Sequence, residues 1–263
     1  MAGLDTAELE REGWAIVDLL TPTQVEAARQ VIDDLGLPER HEFFATPAQA
    51  WGDVAFAVDA ELKAIAAEQL SAMLPGHRPF LAGTTSKGAH DGAPIKFHQD
   101  WTYTDEERTR PVFFWCPLVD CDQHNGGMLV VPASNHWPRH LRPSRNHEPS
   151  EQLQEELAAR AVPVTLRSGQ ALAFDPATFH GSVPNRSSTR RPAFTIAVVA
   201  NGAELVHYHE SDDGRLEGFI VDDTFFTTNP YRTRPNGYPT FEPAGRSLRE
   251  DDLRTALGLG TAR

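Results

Sequence analysis

Lysine, cysteine and long apolar runs are scarce in this sequence. The 263 residues include two cysteines, Cys116 and Cys121, which are too few for a disulfide framework. No apolar run is long enough to span a bilayer, and Met1 to Arg11 shows no signal-peptide pattern. We therefore expect a cytoplasmic protein in which both thiols serve as packing residues.

The scarcity of positive charge narrows the range of partners. Lysine occurs only at Lys63, Lys87 and Lys96, and the formal net charge is -13. Nucleic-acid binding requires basic patches, and an anionic membrane surface attracts polybasic segments. We expect a small-molecule partner and neither a nucleic acid nor a membrane. No feature of the sequence indicates an oligomeric state.

Two helices are predicted in the first part of the chain. Thr21-Pro22-Thr23-Gln24 combines a capping threonine, a proline suited to the first helical position and the glutamine of a capping box. This helix is expected to end at Gly36 and Pro38. A second helix is predicted from Asp59 to about Leu74, because its apolar residues recur at helical spacing.

Short strands separated by turns dominate the middle of the chain. They are predicted at Trp14–Leu20, Pro79–Ser86, Ile95–Tyr103, Val112–Leu118, Met128–Val131, Val162–Leu166, Ala171–Phe174 and Ala193–Ala200. Such a series predicts a sandwich or barrel, with the two early helices covering one sheet face. A helical insert is expected at Ser150–Arg160. After Gly202 the pattern predicts an ordered loop over 225–241, and Ser247 to Glu250 predicts a capping box that begins a short terminal helix.

His98-Gln99-Asp100 is the most informative segment of the chain. Residues i and i+2 of a strand point to the same face, so His98 and Asp100 can offer a nitrogen and an oxygen to one ion. His180, expected at the edge of a later strand, would complete a set of two histidines and one carboxylate. Such a set holds non-heme Fe(II) on one face and leaves positions open for substrate and O2.

An arginine follows this set at the start of an apolar strand. Arginine binds carboxylates in a planar, bidentate manner, and a dicarboxylate that chelates iron at one end needs an anchor at the other. Arg191 is the predicted anchor and Arg190 is the alternative, since strand alternation lets only one of them face the interior.

The order of these motifs resembles the phytanoyl-CoA dioxygenase family of Fe(II)/2-oxoglutarate oxygenases over about residues 10 to 200. The motifs that carry the resemblance are His98-Gln99-Asp100-Trp101, the segment from Asn125 to His136, Gly169-Gln170 through Phe174, the segment from His180 to Asn185, and Arg191. The resemblance implies a mainly β protein with flanking helices, built on a double-stranded β-helix (a jelly-roll, cupin-like barrel). We expect a single domain over residues 1-263, with a helical part at about 1-78, the β-helix core at about 79-202, and a C-terminal loop and short helix at about 203-263.

The resemblance also implies the roles of individual residues. It implies that His98, Asp100 and His180 bind Fe(II) and that Arg191 grips the distal carboxylate of the co-substrate 2-oxoglutarate. The implied reaction consumes O2, releases succinate and CO2, and hydroxylates an unactivated C–H bond of a small-molecule metabolite. Halogenating relatives have a small residue at the position of Asp100, so oxygenation is expected instead. The residues that match further co-substrate contacts are Gln99, Trp115 and Ser182.

Several alternatives stay open at this point. The same cofactors support desaturation, epoxidation or cyclisation of a natural-product intermediate, because substrate placement decides the outcome. A cupin-like metalloenzyme that does not use 2-oxoglutarate is a second class, although Arg191 would have no clear purpose in it. A non-catalytic binding protein is a third class, against which the intact ligand set argues.

Substrate contacts are expected among aromatic residues and arginines in loops over the iron. The aromatic candidates are Phe43-Phe44, Trp51, Trp101, Tyr103, the segment 136–139 and the loop 225–241. Arginines that could pair with an acid group are Arg139, Arg142, Arg232 and Arg234. They favour a small acidic metabolite, an amino acid or a natural-product scaffold. His207-Tyr208-His209 is expected to pack in the core or to line the mouth of the site.

Overall fold

The computed structural model describes residues 4–46, 48–90, 92–138, 140–144, 151–230 and 232–260. The helices are α1 (Thr6–Glu12), α2 (Pro22–Asp33), α3 (Asp53–Met73), α4 (Glu151–Arg160), α5 (Phe225–Thr228) and α6 (Glu250–Ala256). The strands are β1 (Trp14–Asp18), β2 (Phe44–Ala45), β3 (His77–Lys87), β4 (Ile95–His98), β5 (Val112–Pro117), β6 (Met128–Val130), β7 (Val162–Pro163), β8 (Gln170–Phe174), β9 (His180–Ser182), β10 (Arg191–Ala200), β11 (Leu205–Glu210), β12 (Leu216–Val221) and β13 (Thr240–Phe241).

The start of α2 follows the sequence closely. The backbone N–H of Thr21 donates to Gln24 Oε1 at 2.9 Å, and the N–H of Gln24 donates to Thr21 Oγ1 at 3.4 Å. The predicted capping box is therefore confirmed. Helix α3 begins at Asp53, earlier than predicted, and the backbone N–H of Phe56 donates to the carbonyl oxygen of Gly52 in its first turn.

Six strands form the larger sheet, in the order β1-β8-β5-β10-β3-β2. Alternate residues of β10 face opposite sides of this sheet. Phe194, Ile196 and Val198 belong to a core that includes buried residues of α2 and α3, so the two helices cover one face, as predicted. Ala193 lies on the other face, in a cluster with residues of a second sheet. Arg191 and Thr195 share that face, since they alternate with Phe194 and Ile196.

Four strands form the second sheet, in the order β4-β9-β6-β7. Met128 and Val130 of β6 pack with Trp115, Leu172 and Phe174 of the larger sheet. The two antiparallel sheets thus enclose a shared interior, and the predicted double-stranded β-helix is confirmed. Helices α4 and α6 contribute to a separate cluster of buried residues with β4.

The C-terminal part contains strands where the sequence predicts a loop. Strands β11, β12 and β13 form a third sheet, so the prediction of only a loop and a short helix over 203–263 is wrong. Leu205 and Phe219 are buried with Phe80 and Tyr103, and this packing stabilises strands that have weak local signals. Within 225–241, the described residues include α5 and β13, while Tyr231 lies outside the described residues.

Two smaller predictions need correction. The predicted strand over Ile95–Tyr103 ends at His98, because the N–H of Asp100 donates to the carbonyl oxygen of Pro176 and not to a neighbouring strand. The terminal helix begins at Glu250, with Arg249 as its N-cap and Asp252 accepting from the Arg249 N–H at 3.0 Å. Ser247 is therefore not its cap. The insert helix is described from Glu151, and Ser150 lies outside the described residues.

Both cysteines are buried, and neither forms a disulfide. Burial raises the pKa of the Cys116 thiol to about 12 and that of the Cys121 thiol to about 11, so both stay protonated at neutral pH. Across the described residues, no helix is both long and apolar enough to cross a membrane. The cytoplasmic location and the assignment of residues 1-263 to a single domain stay predictions.

Candidate metal centre

Three side chains with metal-binding atoms meet at one edge of the second sheet. His98 of β4 and His180 of β9 are direct partners in the antiparallel register, and their ring centroids lie 4.4 Å apart. Asp100 follows two residues after His98, beyond the end of the strand. Its N–H donates to the carbonyl oxygen of Pro176 at 2.9 Å, which keeps this segment beside the turn that precedes β9.

The distances within this set suit a single ion. Asp100 Oδ1 lies 3.8 Å from His98 Nε2 and 3.9 Å from His180 Nε2. Atoms that share an ion at about 2.1 Å lie at most about 4.2 Å apart, and both distances meet this limit. One ligand atom from each residue lies within 4.8 Å of the other two. The sequence prediction that these residues come together is therefore correct in geometry, and their role as ligands stays a prediction.

The two imidazoles are oriented by the backbone. His98 Nδ1 lies 2.9 Å from the carbonyl oxygen of Lys96, and His180 Nδ1 lies 2.9 Å from that of Thr178. A ring that donates from Nδ1 leaves Nε2 free as a metal ligand. Burial, together with the neighbouring His98, lowers the pKa of His180 to about 4, so this imidazole is neutral at pH 7.

A turn built on Asp175 places His180. The N–H of Ala177 donates to Asp175 Oδ1 at 2.8 Å, and the N–H of Thr178 donates to the Asp175 carbonyl oxygen at 2.8 Å. Arg110 Nη1 donates to Asp175 Oδ2 at 2.6 Å and fixes the carboxylate. Gly181 then lets β4 approach, because a Cβ there would lie 2.7 Å from the Ile95 carbonyl oxygen.

Arg142 supports Asp100, although the sequence suggests it as a substrate contact. Its Nε donates to the carbonyl oxygen of Asp100 at 2.6 Å, and its Nη2 forms an ion pair with Glu106. Both side chains of the ion pair are almost fully buried. Glu106 lies far from Arg142 in sequence, within an acidic stretch that resembles an exposed turn, so no local signal reveals the pair.

The predicted anchor, Arg191, lies buried in the barrel wall. Its Cζ lies 4.9 Å from the centroid of the Trp115 ring, in the range of a cation–π contact. Its Nε and Nη1 are buried and have no hydrogen-bond partner among the described residues. Two unpaired guanidinium donors in the interior carry a free-energy cost that an anionic ligand would offset.

The alternative anchor, Arg190, points away from the interior. Its Nη2 forms an ion pair with Asp33 of α2, and its Nη1 donates to the carbonyl oxygen of Leu37 at 3.2 Å. The alternation expected along the strand thus separates the two arginines. Arg191 is the one that shares a cavity with the three metal-binding side chains.

The three further residues predicted to contact the co-substrate also line this cavity. Gln99 donates from Nε2 to the carbonyl oxygen of Ala177. Trp115 donates from Nε1 to Thr85 Oγ1 at 3.3 Å and supports the Arg191 guanidinium. Ser182 is buried two residues after His180. Their contacts with a co-substrate stay predictions.

A sequence comparison decides the family. The model of the phytanoyl-CoA dioxygenase (PhyH) family matches residues 10–193. The chain belongs to this family. The predicted resemblance is confirmed, and no curated protein matches the chain.

Solved structures with the same fold extend this finding. EvdO2 from Micromonospora carbonacea var. aurantiaca, in complex with 2-oxoglutarate, is 21% identical with a TM-score of 0.52, covering 74% of this chain and 89% of that chain. SnoK, a non-heme alpha-ketoglutarate-dependent carbocyclase of nogalamycin biosynthesis, is 18% identical with a TM-score of 0.53 over 76% of this chain and 84% of that chain. The epimerase SnoN, in complex with Fe3+, alpha ketoglutarate and nogalamycin RO, is 20% identical with a TM-score of 0.54. The match covers 76% of this chain and 83% of that chain.

The cavity of this PhyH family member has a volume of about 580 Å³. Many of the residues that line it are aromatic. The predicted substrate contacts that line it are Phe43, Trp101, Tyr103, Phe225, Phe226 and Arg232. Phe44, Trp51 and the described residues of the segment 136–139 are not part of the lining, and Arg139 lies outside the described residues.

Two of the predicted acid-binding arginines already have carboxylate partners. Arg142 pairs with Glu106, as described above, and Arg234 donates to both carboxylate oxygens of Glu217 at 2.8 Å. Neither lines the cavity. The expectation that these two arginines bind an acidic substrate is therefore wrong, because both guanidinium groups are neutralised within the protein.

His207 is the polar exception in the aromatic wall. It lies on β11, with its ring centroid 4.8 Å from that of Phe225 and 6.1 Å from that of Trp101. Burial, together with the neighbouring His209, lowers the pKa of His207 to about 3, so the ring is neutral. Its buried Nε2 has no hydrogen-bond partner among the described residues. A neutral imidazole of this kind can exchange one hydrogen bond with a bound molecule.

Proposed function

We propose that this enzyme hydroxylates an unactivated C–H bond of a small-molecule metabolite and releases succinate and CO2. Its cofactors are those of the PhyH family, Fe(II) with the co-substrates 2-oxoglutarate and O2. The proposal depends on one observation: His98, Asp100, His180 and Arg191 line a single cavity, and the buried guanidinium donors of Arg191 lack a partner in the described residues.

The donor set fits both Fe(II) and 2-oxoglutarate. Two imidazole nitrogens and one carboxylate oxygen form a facial set that leaves positions for a chelating co-substrate and O2. Arg191 would receive the distal carboxylate, and the Trp115 ring holds the guanidinium in place. Fe(II) at this site would supply the redox chemistry that couples decarboxylation of the co-substrate to substrate oxidation.

The protein's own contribution is orientation and exclusion of water. The carbonyl oxygens of Lys96 and Thr178 fix the two imidazoles, and Arg142 fixes the backbone at Asp100. Such supporting hydrogen bonds tune the affinity of a metal site. The aromatic wall formed with β11 and α5 shields the substrate side from bulk water and positions the target C–H bond.

The substrate side favours a neutral, ring-bearing molecule. Phe225, Phe226, Trp101 and Tyr103 offer apolar contact, and His207 offers a single buried hydrogen-bonding atom. Arg142 and Arg234 are paired with carboxylates and are not available for an acid group. A natural-product scaffold with a hydroxyl or carbonyl group therefore fits the aromatic part of this wall, while Arg232 is the predicted acid-binding arginine that lines the cavity.

The similar solved structures favour a second type of reaction with the same cofactors. SnoK is a carbocyclase and SnoN is an epimerase, and both share this fold at low sequence identity. Cyclisation, desaturation, epoxidation or epimerisation begins with the same oxidant, and substrate placement selects the product.

The proposal is tested by succinate release from protein loaded with Fe(II) and supplied with 2-oxoglutarate and O2. Neutral polycyclic aromatic scaffolds and small carboxylic acids serve as the two substrate panels. A product that gains one oxygen atom from ¹⁸O2 at a saturated carbon supports hydroxylation, whereas gain of one oxygen at a double bond indicates epoxidation. Loss of two hydrogens indicates desaturation or cyclisation, and an unchanged composition indicates epimerisation. Asp100→Ala is the inactive control. Substrate oxidation that continues without 2-oxoglutarate would instead place the protein among cupin-like metalloenzymes.

A further inference from the structure

Lys87 lies directly opposite Arg191 in the larger sheet. The two are register partners on the antiparallel strands β3 and β10, so their side chains project to the same face. Both are buried, with relative exposures of 0% for Lys87 and 2% for Arg191. Arg191 lines the cavity, and Lys87 lies beside it within the wall.

No anion accompanies these two cations in the described part of the chain. Lys87 Nζ donates one hydrogen bond, of 2.6 Å, to the carbonyl oxygen of Val183. Nε and Nη1 of Arg191 have no partner, and neither residue forms an ion pair. Two neighbouring buried cations without a counter-charge are strongly unfavourable. If these positions served only packing, an apolar residue would fill them at a lower free-energy cost.

A glycine turn lets the two side chains lie together. Gly126 has a φ of +94°, and a Cβ at this position would lie 3.0 Å from Lys87 Cδ and 3.5 Å from Arg191 Nε. Any larger residue would displace the lysine stem. The Lys87 stem and the Arg191 guanidinium therefore both lie against this turn, and Lys87 Nζ reaches the carbonyl oxygen of Val183.

The protonation state of Lys87 depends on this environment. Burial, and then the charge of Arg191, lowers the pKa of Lys87 to about 7. Among the described residues, the other titratable group facing it is Cys121, whose pKa of about 11 keeps the thiol neutral over the physiological range. Arg191 has a pKa of about 10 and stays charged. On the outer side of β3, His41 contacts Ser86 and not Lys87.

We propose that Lys87 is a positioning residue that takes up a proton when 2-oxoglutarate binds and acts with Arg191 to balance the distal carboxylate. In the empty site the lysine is a neutral amine above neutral pH, which avoids an unpaired cation. A carboxylate bound to Arg191 attracts the Lys87 cation and offsets its repulsion by Arg191, which favours the ammonium form of Lys87. This inference rests on the proposed function, because it takes 2-oxoglutarate as the ligand of Arg191.

The direction in which the affinity for 2-oxoglutarate changes with pH follows from the coupling between co-substrate binding and proton uptake by Lys87. At pH 6 the amine is already protonated in the free protein, so binding takes up almost no proton. At pH 8.5 the free protein holds a neutral amine while the complex holds an ammonium, so about one proton is taken up. Affinity for 2-oxoglutarate therefore falls as pH rises above about 7, by up to about tenfold per pH unit until the pKa of the complex is reached.

Calorimetric titration of 2-oxoglutarate into the anaerobic Fe(II)-loaded enzyme tests this inference. Each titration is performed at pH 6 and pH 8.5, in two buffers of different ionisation enthalpy, which gives the number of protons exchanged. For the unmodified protein we expect roughly tenfold or greater weakening at pH 8.5 and an uptake near one proton. Arg190→Gln is the matched control, since Arg190 lies outside the cavity, and it should behave as the unmodified protein.

Two substitutions at Lys87 separate a charge effect from a packing effect. Lys87→Met should bind 2-oxoglutarate weakly at both pH values and take up no proton. Lys87→Arg keeps a permanent cation, so it should bind at pH 8.5 at least as tightly as at pH 6, again with no uptake. If Lys87→Met does not fold, as judged by circular dichroism, Lys87→Arg alone decides the test.

Three results would overturn the role of Lys87. They are equal affinity of the unmodified protein at both pH values, unchanged proton uptake in Lys87→Met, and unchanged pH dependence in Lys87→Arg. Failure of the unmodified protein to bind 2-oxoglutarate at either pH would refute the proposed function instead. The two failures are thus distinguishable within one set of titrations.

Discussion

Arg142 Nε donates a 2.6 Å hydrogen bond to the backbone carbonyl oxygen of Asp100. The same guanidinium forms a buried ion pair with Glu106. The segment that carries the carboxylate ligand is therefore held by a charge pair outside the metal set. Because Asp100 lies beyond the end of β4, this contact replaces the strand hydrogen bonds that would otherwise fix it.

Loss of this support should weaken metal binding without removing a ligand. For Arg142→Met combined with Glu106→Gln, which leaves no buried charge unpaired, we expect Fe(II) affinity to fall by roughly 10- to 100-fold. Anaerobic Fe(II) titration measures the change. Arg234→Met is the control, because Arg234 pairs with Glu217 at the surface and should leave the affinity unchanged. Equal affinities in the two variants would contradict the role of Arg142.

Arg191, the first residue of β10, and Arg190, which precedes it, provide a matched pair for testing co-substrate binding. Arg191→Gln removes a buried guanidinium in the cavity, and we expect 2-oxoglutarate affinity to fall by at least about 100-fold, as for loss of a charge-assisted bidentate contact of about 3 kcal/mol. Arg190→Gln removes an ion pair with Asp33 and should leave the affinity within twofold, because Arg190 does not line the cavity. Stronger impairment by Arg190→Gln would reverse the assignment.

His207 provides a prediction for the substrate side. With a substrate from the succinate-release screen, His207→Phe should lower kcat/KM by roughly tenfold, the loss expected for one buried hydrogen bond of about 1.5 kcal/mol. Affinities for Fe(II) and 2-oxoglutarate should not change. Tyr208→Phe is the control, because Tyr208 points to the other face of β11 and packs against Phe241. Unaltered kinetics in His207→Phe would remove the residue from substrate recognition.

Gly181 should be intolerant of any side chain. An added Cβ would lie 2.7 Å from the Ile95 carbonyl oxygen, so Gly181→Ala must separate β4 from β9 and with them His98 from His180. We expect a loss of about 1–3 kcal/mol in the free energy of unfolding, measured by urea denaturation, together with weaker Fe(II) binding. Gly245→Ala, which meets only the Leu141 side chain at 3.3 Å, is the control and should lie within about 0.5 kcal/mol of the unmodified protein.

The fold and the metal set could be predicted from the sequence. The patterns that indicate them either span a few residues or follow one another in a fixed order along the chain. The capping box at Thr21 and the apolar face of β10 are visible within a few residues. His98, Asp100 and His180 are recognisable because their spacing combines with a turn and an arginine in a fixed order. Strand alternation lets only one of Arg190 and Arg191 face the interior, and the structure shows that it is Arg191.

Features that depend on distant contacts could not be predicted. Strands β11 and β12 are stabilised by packing against Phe80 and Tyr103, and their own sequences carry polar and charged residues that weaken the strand signal. Arg142 resembles a free surface arginine until Glu106 is seen beside it. Lys87 likewise becomes informative only when the register places it opposite Arg191.

The central claim is that three side chains and one arginine hold Fe(II) and 2-oxoglutarate together. Anaerobic addition of 2-oxoglutarate to the Fe(II)-loaded protein tests it most directly, through the weak visible charge-transfer band of a chelated 2-oxo acid. We predict a band that saturates at one equivalent per chain and is absent from folded His180→Ala. A folded protein that gives no band, or a band of full intensity in His180→Ala, would contradict the account.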